Sequence, residues 1–210
     1  MLRTLQNLKR LKIYSCGSIE EVFEIQGTNK VEETHDIVAA ELRSLNITNL
    51  GKLKHVWSMD PQGIITFAKL RKIEIGDCSS LKSVFPTSVA KAFMQLEELK
   101  INYCATVEEI VAKEEGMEKT TLFEFPQLKT LELRNLPELK NFYQGKHILK
   151  WPLLNSLHIS KCDKLKIFGS NKESVEETNG LDHDVGVIQQ RYFFSEKVRT
   201  SLACLYILLI

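Results

Sequence analysis

The sequence predicts an α/β solenoid: a curved stack of short parallel strands lining a concave face, with irregular chain and short helices on the convex side. Three observations carry this. An apolar-x-apolar core recurs six times, starting at Leu11, Leu45, Ile73, Leu99, Leu131 and Leu157, at intervals of 26 to 34 residues. The text around each start is nearly constant: "LKRLKIYSC", "LRSLNITNL", "LRKIEIGDC", "LEELKINYC", "LKTLELRNL" and "LNSLHISKC". An apolar residue then returns three positions further on, at Ile19, Leu53, Leu81, Val107, Leu139 and Leu165. Phe23, Trp57, Phe85, Val111 and Tyr143 follow at a fixed offset, and only the sixth copy misses it, with Gly169 there and Phe168 adjacent.

Each element of a copy has a physical reason. In "LRKIEIGDCSSLKSVF" (Leu70 to Phe85) the alternating Ile73-Glu74-Ile75 is a short strand with one face inward. Cys78 tucks beneath the turn that follows, and Leu81 and Phe85 return inward from the convex side. One copy cannot bury its apolar edge alone, whereas six stacked copies make one continuous core. This is the outline of the leucine-rich repeat, L-x-x-[LI]-x-[IL]-x-x-[CL]. The two longest intervals contain polar insertions, "GTNKVEETHDIVAAE" and "KEEGMEKTTLFE", which read as loops. "PTSVAKAFMQ" reads as a short convex helix with Thr87 or Ser88 as its N-cap. The repeat domain is expected to cover residues 1–168. Residues 169–210 open on the linker-like "GSNKESVEETNG". They then read as a divergent cap, a strand added to the solenoid end, or a truncated continuation. Neither end carries an obvious polar cap, so the chain is expected to be a piece of something longer.

Composition excludes several classes. The chain has 210 residues, 43% hydrophobic and 26% charged, as in a globular domain. Its 28 basic and 27 acidic residues leave a net charge of +1, which gives no global electrostatic case for nucleic acid or an anionic membrane. Five cysteines, none in a Cys-x-x-Cys pair, and a charged, patterned start point to free thiols in a reducing compartment. The apolar end "LACLYILLI" is nine residues long, short of the roughly 20 that span a bilayer as a helix.

The copies resemble the leucine-rich repeats of plant intracellular disease-resistance receptors of the coiled-coil, nucleotide-binding type. The resemblance rests on strand motifs ending in Cys ("IGDC", "ISKC") alternating with Asn-Leu endings ("ITNL", "LRNL"). It rests also on "LPELKNFY" and "LGKLKHVW" after the Asn-Leu copies, on "CSSLKSVFP" and "CATVEEIVAKEEG" after the Cys copies, and on the lead-ins "FAKLRKIEI", "FPQLKTLEL" and "WPLLNSLHI". It spans about Leu5 to Phe168. It implies a non-catalytic, cofactor-free module that binds protein: a pathogen effector or a guarded host protein, with the parent receptor's nucleotide-binding domain as an internal partner. It implies a location in the cytoplasm or nucleus, and no nucleic acid, small-molecule substrate or membrane as partner. No G-x-x-x-x-G-K-[ST] occurs, so nucleotide binding does not transfer to this chain. The Gly-x-Ile-Pro element of secreted plant leucine-rich proteins is absent as well.

The residues that alternate with the inward positions form the candidate binding surface. They are Arg10, Lys12 and Tyr14; Ser44, Asn46 and Thr48; Lys72, Glu74 and Gly76; Glu98, Lys100 and Asn102, with Tyr103 at the rim; Thr130, Glu132 and Arg134; and Ser156, His158 and Ser160. As a polar stripe with Tyr14 and Tyr103 as aromatic anchors, they suit a protein partner. The plainer reading is that individual members are solvated positions making cross-strand pairs.

Other features point to structure rather than chemistry. Cys16, Cys78, Cys104 and Cys162 hold one repeat position and read as small core residues, because a zinc site needs four ligands converging on a point. "LDHD" (Leu181 to Asp184) and the charged insertions read as solvated loops, with the sharper alternative that the two insertions flank a groove. The Asn46-Ile47-Thr48 sequon falls on a strand and reads as chance. Rival readings are a ubiquitin-ligase substrate receptor, for which Met1 to Leu5 leaves no docking helix, and a truncated gene product without independent function. An enzyme would need a nucleophile, base and stabiliser that the sequence does not assemble.

Overall fold

The computed structural model describes residues 7–25, 38–62, 64–113 and 120–165, together with one strand at Leu205–Leu208. The strands in chain order are β1 (Arg10–Tyr14), β2 (Glu21–Phe23), β3 (Val38–Ala39), β4 (Ser44–Thr48), β5 (His55–Trp57), β6 (Ile65–Thr66), β7 (Lys72–Gly76), β8 (Ser83–Phe85), β9 (Glu98–Asn102), β10 (Glu109–Val111), β11 (Thr121–Glu124), β12 (Thr130–Arg134), β13 (Asn141–Tyr143), β14 (His147–Lys150), β15 (Ser156–Ser160) and β16 (Leu205–Leu208). One helix, α1 (Thr87–Lys91), lies between β8 and β9.

The main sheet runs β1-β4-β7-β9-β12-β15, all parallel, and β16 joins antiparallel outside β15. Its register follows the repeat. Leu11, Leu45, Ile73, Leu99, Leu131 and Leu157 stand side by side, as do Ile13, Ile47, Ile75, Ile101, Leu133 and Ile159. Both rows point inward, and a slip of one residue in any strand would turn its whole apolar set to solvent. From β4 to β12 these residues are buried, whereas in β1, the sheet edge, Leu11 and Ile13 are half-covered.

The turn after each strand is made the same way six times. Ser15, Asn49, Asp77, Tyr103, Asn135 and Lys161 all have φ between 50° and 57°. A left-handed residue other than glycine costs about 1–2 kcal/mol, least for Asn and Asp. Two effects offset it. The strained residue donates its N–H to the next repeat, as in Asn49 to Gly76 O (3.0 Å) and Tyr103 to Arg134 O (2.9 Å), so the ladder runs one rung further. The kink also aims the following side chain inward, and Leu50, Cys78, Cys104 and Leu136 are completely buried. A tight turn closes behind it, with Leu53 N–H on Leu50 O and Leu139 N–H on Leu136 O.

A second parallel column, β2-β5 and β8-β10-β13, faces the first across the core. Aromatic rings form a row along the stack: Phe23–Trp57 (5.3 Å between centroids), Trp57–Phe85 (5.7 Å), Phe85–Phe93 (5.0 Å) and Phe125–Phe142 (5.9 Å). Burying each such side chain stabilises by about 1.5–3 kcal/mol. Where Val111 interrupts the row, Phe93 and Phe125 carry it past, 6.5 Å apart.

The structure corrects three expectations. The insertions do not end as loops: β3 pairs with β6, and β11 pairs with β14. Their middles, residues 26–37 and 114–119, lie outside the described residues, as does the groove they were expected to flank. The N-cap of α1 is Pro86, and neither Thr87 nor Ser88 caps with its side chain. The Thr87 hydroxyl instead donates to Ala112 O at 2.9 Å, and Asp60 of the preceding repeat takes the Ser88 N–H. Cys16 is exposed rather than buried, because β1 is the edge of the stack.

Candidate protein-binding surface

The outward positions of the main sheet form three rows across six strands. The central row is Lys12, Asn46, Glu74, Lys100, Glu132 and His158, with adjacent members one strand apart. Arg10 and Lys72 stand in the row on the N-terminal side; Tyr14, Thr48, Asn102 and Arg134 stand in the row on the C-terminal side, bordered by the left-handed turn residue Tyr103. Tyr14 (67%) and Tyr103 (55%) are the two most exposed large hydrophobic side chains described, so the geometry leaves both rings available. Arg10, Lys12, Lys72 and Glu74 are exposed; Asn46, Thr48, Lys100, Asn102, Glu132 and Arg134 are half-buried.

The half-buried members are tied to neighbours on the same face. Asn46 Nδ2 donates to Glu74 Oε2 at 2.7 Å. The Glu98 carboxylate lies between two ammonium groups, Lys100 and Lys72, the latter at 3.2 Å. Those contacts, with the hydrogen bond from Lys100 foremost, hold Glu98 below the usual carboxylate range, and Glu98 in turn pushes Lys100 up. Further along, Asn102 Nδ2 donates to Glu132 Oε1 at 3.2 Å, and Arg134 Nε forms an ion pair with the same oxygen at 2.9 Å. These links fix side chains that would otherwise be mobile, which lowers the entropy cost of meeting a partner.

His158 departs from the expectation of an exposed contact residue: only 7% of it is accessible. Its strand is covered on both sides, by β12 and by β16. Arg134 Nη2 approaches His158 Nδ1 at 2.9 Å, and since a guanidinium only donates, Nδ1 must accept. The imidazole is therefore neutral, in keeping with burial and then the Arg134 charge, which both depress its pKa.

The cysteine row divides by position. The Cys78 and Cys104 thiols are buried and donate to Gly76 O (3.2 Å) and Asn102 O (3.4 Å). The neighbouring Cys78 thiol, and then burial, push the Cys104 thiol up. Among the described residues no three His, Cys, Asp or Glu side chains come together as a metal site. No helix among them is long and apolar enough to cross a membrane. "LDHD" and Cys204 lie outside the described residues.

Sequence reasoning missed one feature of this face. Lys9 and Arg43 form the start of a rim just ahead of the strands, with the Arg43 N–H on Lys9 O at 2.8 Å. Aligning the second residue of each L-x-x-L copy would have found it. Glu98, one of the outward positions read from the repeat, is the hub of the charge pairs.

Comparison with known proteins agrees with this architecture. The family described as "Plant disease resistance protein RPS2-like, leucine-rich repeats" matches residues 1–105 and again 93–172. Disease resistance protein RPS5 of Arabidopsis thaliana is 32% identical over 79% of the chain. Disease resistance protein UNI of the same plant is 32% identical over 55% of it, and disease resistance protein SUMM2 31% over 46%. The matched regions span only 15%, 12% and 10% of those relatives. No solved structure matches the chain. With the repeat text, the in-register ladder and the family match all covering the same residues, the chain belongs to the leucine-rich repeats of RPS2-like plant disease resistance proteins.

Proposed function

We propose that the chain is a non-catalytic recognition module of an intracellular plant immune receptor, working in the cytoplasm or nucleus. Its concave face binds a protein, either a pathogen effector or a host protein that the receptor guards. In a receptor that carries a nucleotide-binding domain, the same module restrains that domain until the partner arrives. The observation that carries this reading is the pair of exposed rings, Tyr14 and Tyr103, on a sheet face where Asn46, Glu74, Asn102 and Glu132 are pre-ordered by cross-strand bonds. Exposed aromatics within a polar, pre-organised surface are what protein interfaces use as anchors.

The test is capture of partners from plant cells by the tagged chain, with identification by mass spectrometry. Two variants of equal fold, checked by circular dichroism, accompany it. One carries Tyr14→Ala, Glu74→Lys and Tyr103→Ala on the concave face; the other carries Lys91→Glu and Lys146→Glu away from it. A partner lost only from the concave variant supports the reading. A partner retained by both variants overturns it.

A further inference from the structure

Charge is not spread evenly over the concave face. Further along the sheet three acids are answered by bases: Glu97 by Arg71 (3.9 Å) and Lys129 (3.4 Å), Glu98 by Lys72 and Lys100, Glu132 by Arg134. At the β1 end the bases have no such partners. Lys9, Arg10, Lys12 and Arg43 are all exposed, and none makes an ion pair among the described residues. Glu41 is paired with Lys69, whose hydrogen bond lowers its pKa most, and the charges of Arg43 and Lys9 act on it only from beyond ion-pair distance. Neighbouring strands lie about 4.8 Å apart, so the four cations fall within about one Debye length of each other and act as one field. Tyr14 stands at the far end of the same strand.

Building on the protein-binding reading, we propose that this corner takes a short acidic segment of the partner protein, three or four Asp or Glu side chains in extended chain. Arg10 and Arg43 receive carboxylates in two-pronged fashion, Lys9 and Lys12 add point charge, and Tyr14 packs on the segment's apolar stems. Nucleic acid suits the corner less. Four unpaired bases are few beside the roughly 6–10 phosphate contacts of a typical binder. Glu74 also lies on the adjoining β7, where it would repel a continuing phosphate chain.

The test is fluorescence anisotropy with the full chain and a labelled decapeptide of alternating Asp and Glu, beside an oligothymidylate of equal charge. Arg10→Glu with Arg43→Glu is compared with Lys91→Glu with Lys146→Glu, which changes net charge equally elsewhere. The expected result is about tenfold weaker peptide binding in the first pair, little change in the second, and weakening as salt approaches about 0.15 M. Equal loss in both pairs, tighter binding of the oligothymidylate, or no peptide binding overturns the inference. A chain that still captures a partner through Glu74 and Tyr103 yet ignores the peptide overturns this inference and leaves the proposed function standing.

Discussion

The Asp60 carboxylate accepts the backbone N–H of Ser88 at 3.2 Å, so one repeat caps the helix carried by the next. The Ser88 hydroxyl bonds the same carboxylate, and α1 has no side-chain cap of its own. Losing a cap costs about 1 kcal/mol. Asp60→Ala should lower the melting temperature by about 2–4 °C, with Asp60→Asn keeping part of it. Thermal unfolding followed by circular dichroism checks this, and an unchanged midpoint for Asp60→Ala would refute the capping role.

Glu98 should make stability depend on acid pH. Its pKa is lowered by Lys100 and Lys72, so its contribution is complete above the unfolded value, about 4.3, and fades as pH falls through the lower folded value. Solvent screening keeps the contribution to about 0.5–1 kcal/mol. In urea titrations from pH 6 to pH 2, Glu98→Gln should start less stable than the parent and converge on it in acid. Parallel pH curves would argue against this pair.

Tyr103 combines strain with exposure. Its φ of 57° disfavours an aromatic residue, and its ring is free to meet a partner. Tyr103→Asn should raise the melting temperature by about 1–3 °C, since Asn tolerates that backbone, while weakening partner capture. Loss of stability in this variant would mean that the ring packs on its own repeat.

Thiol reactivity should follow the stack. A charged alkylating reagent should label Cys16 within minutes in the native protein, and Cys78 and Cys104 only on unfolding. Peptide mass spectrometry after timed quenching reads each site. Native labelling of Cys104 at the Cys16 rate would contradict its burial.

The inward rows were legible in the sequence because burial forces a period of two on every strand, and the six copies show it. The left-handed turns were not, because Ser, Asn, Asp, Tyr, Asn and Lys share no chemistry there; the ladder imposes the conformation, not the residue. Asp60 lies 28 residues from Ser88, so local helix-start rules pointed to Thr87 and Ser88 instead. Cys16 and His158 failed for one reason: a repeat motif fixes a residue's place within its copy, but not how the ends of the stack are covered. The binding rows were legible as positions, while their pairing around Glu98 and Glu132 needed the cross-strand register.

The in-register ladder turns the concave face into a ruler. Every outward side chain recurs at a step of about 4.8 Å, the spacing of neighbouring strands. Adding or deleting one whole repeat would slide half of the recognition pattern along by that step and leave every inward contact type unchanged. Related chains of this kind can therefore diverge in what they grip by changing the number of copies, without having to invent a new interior.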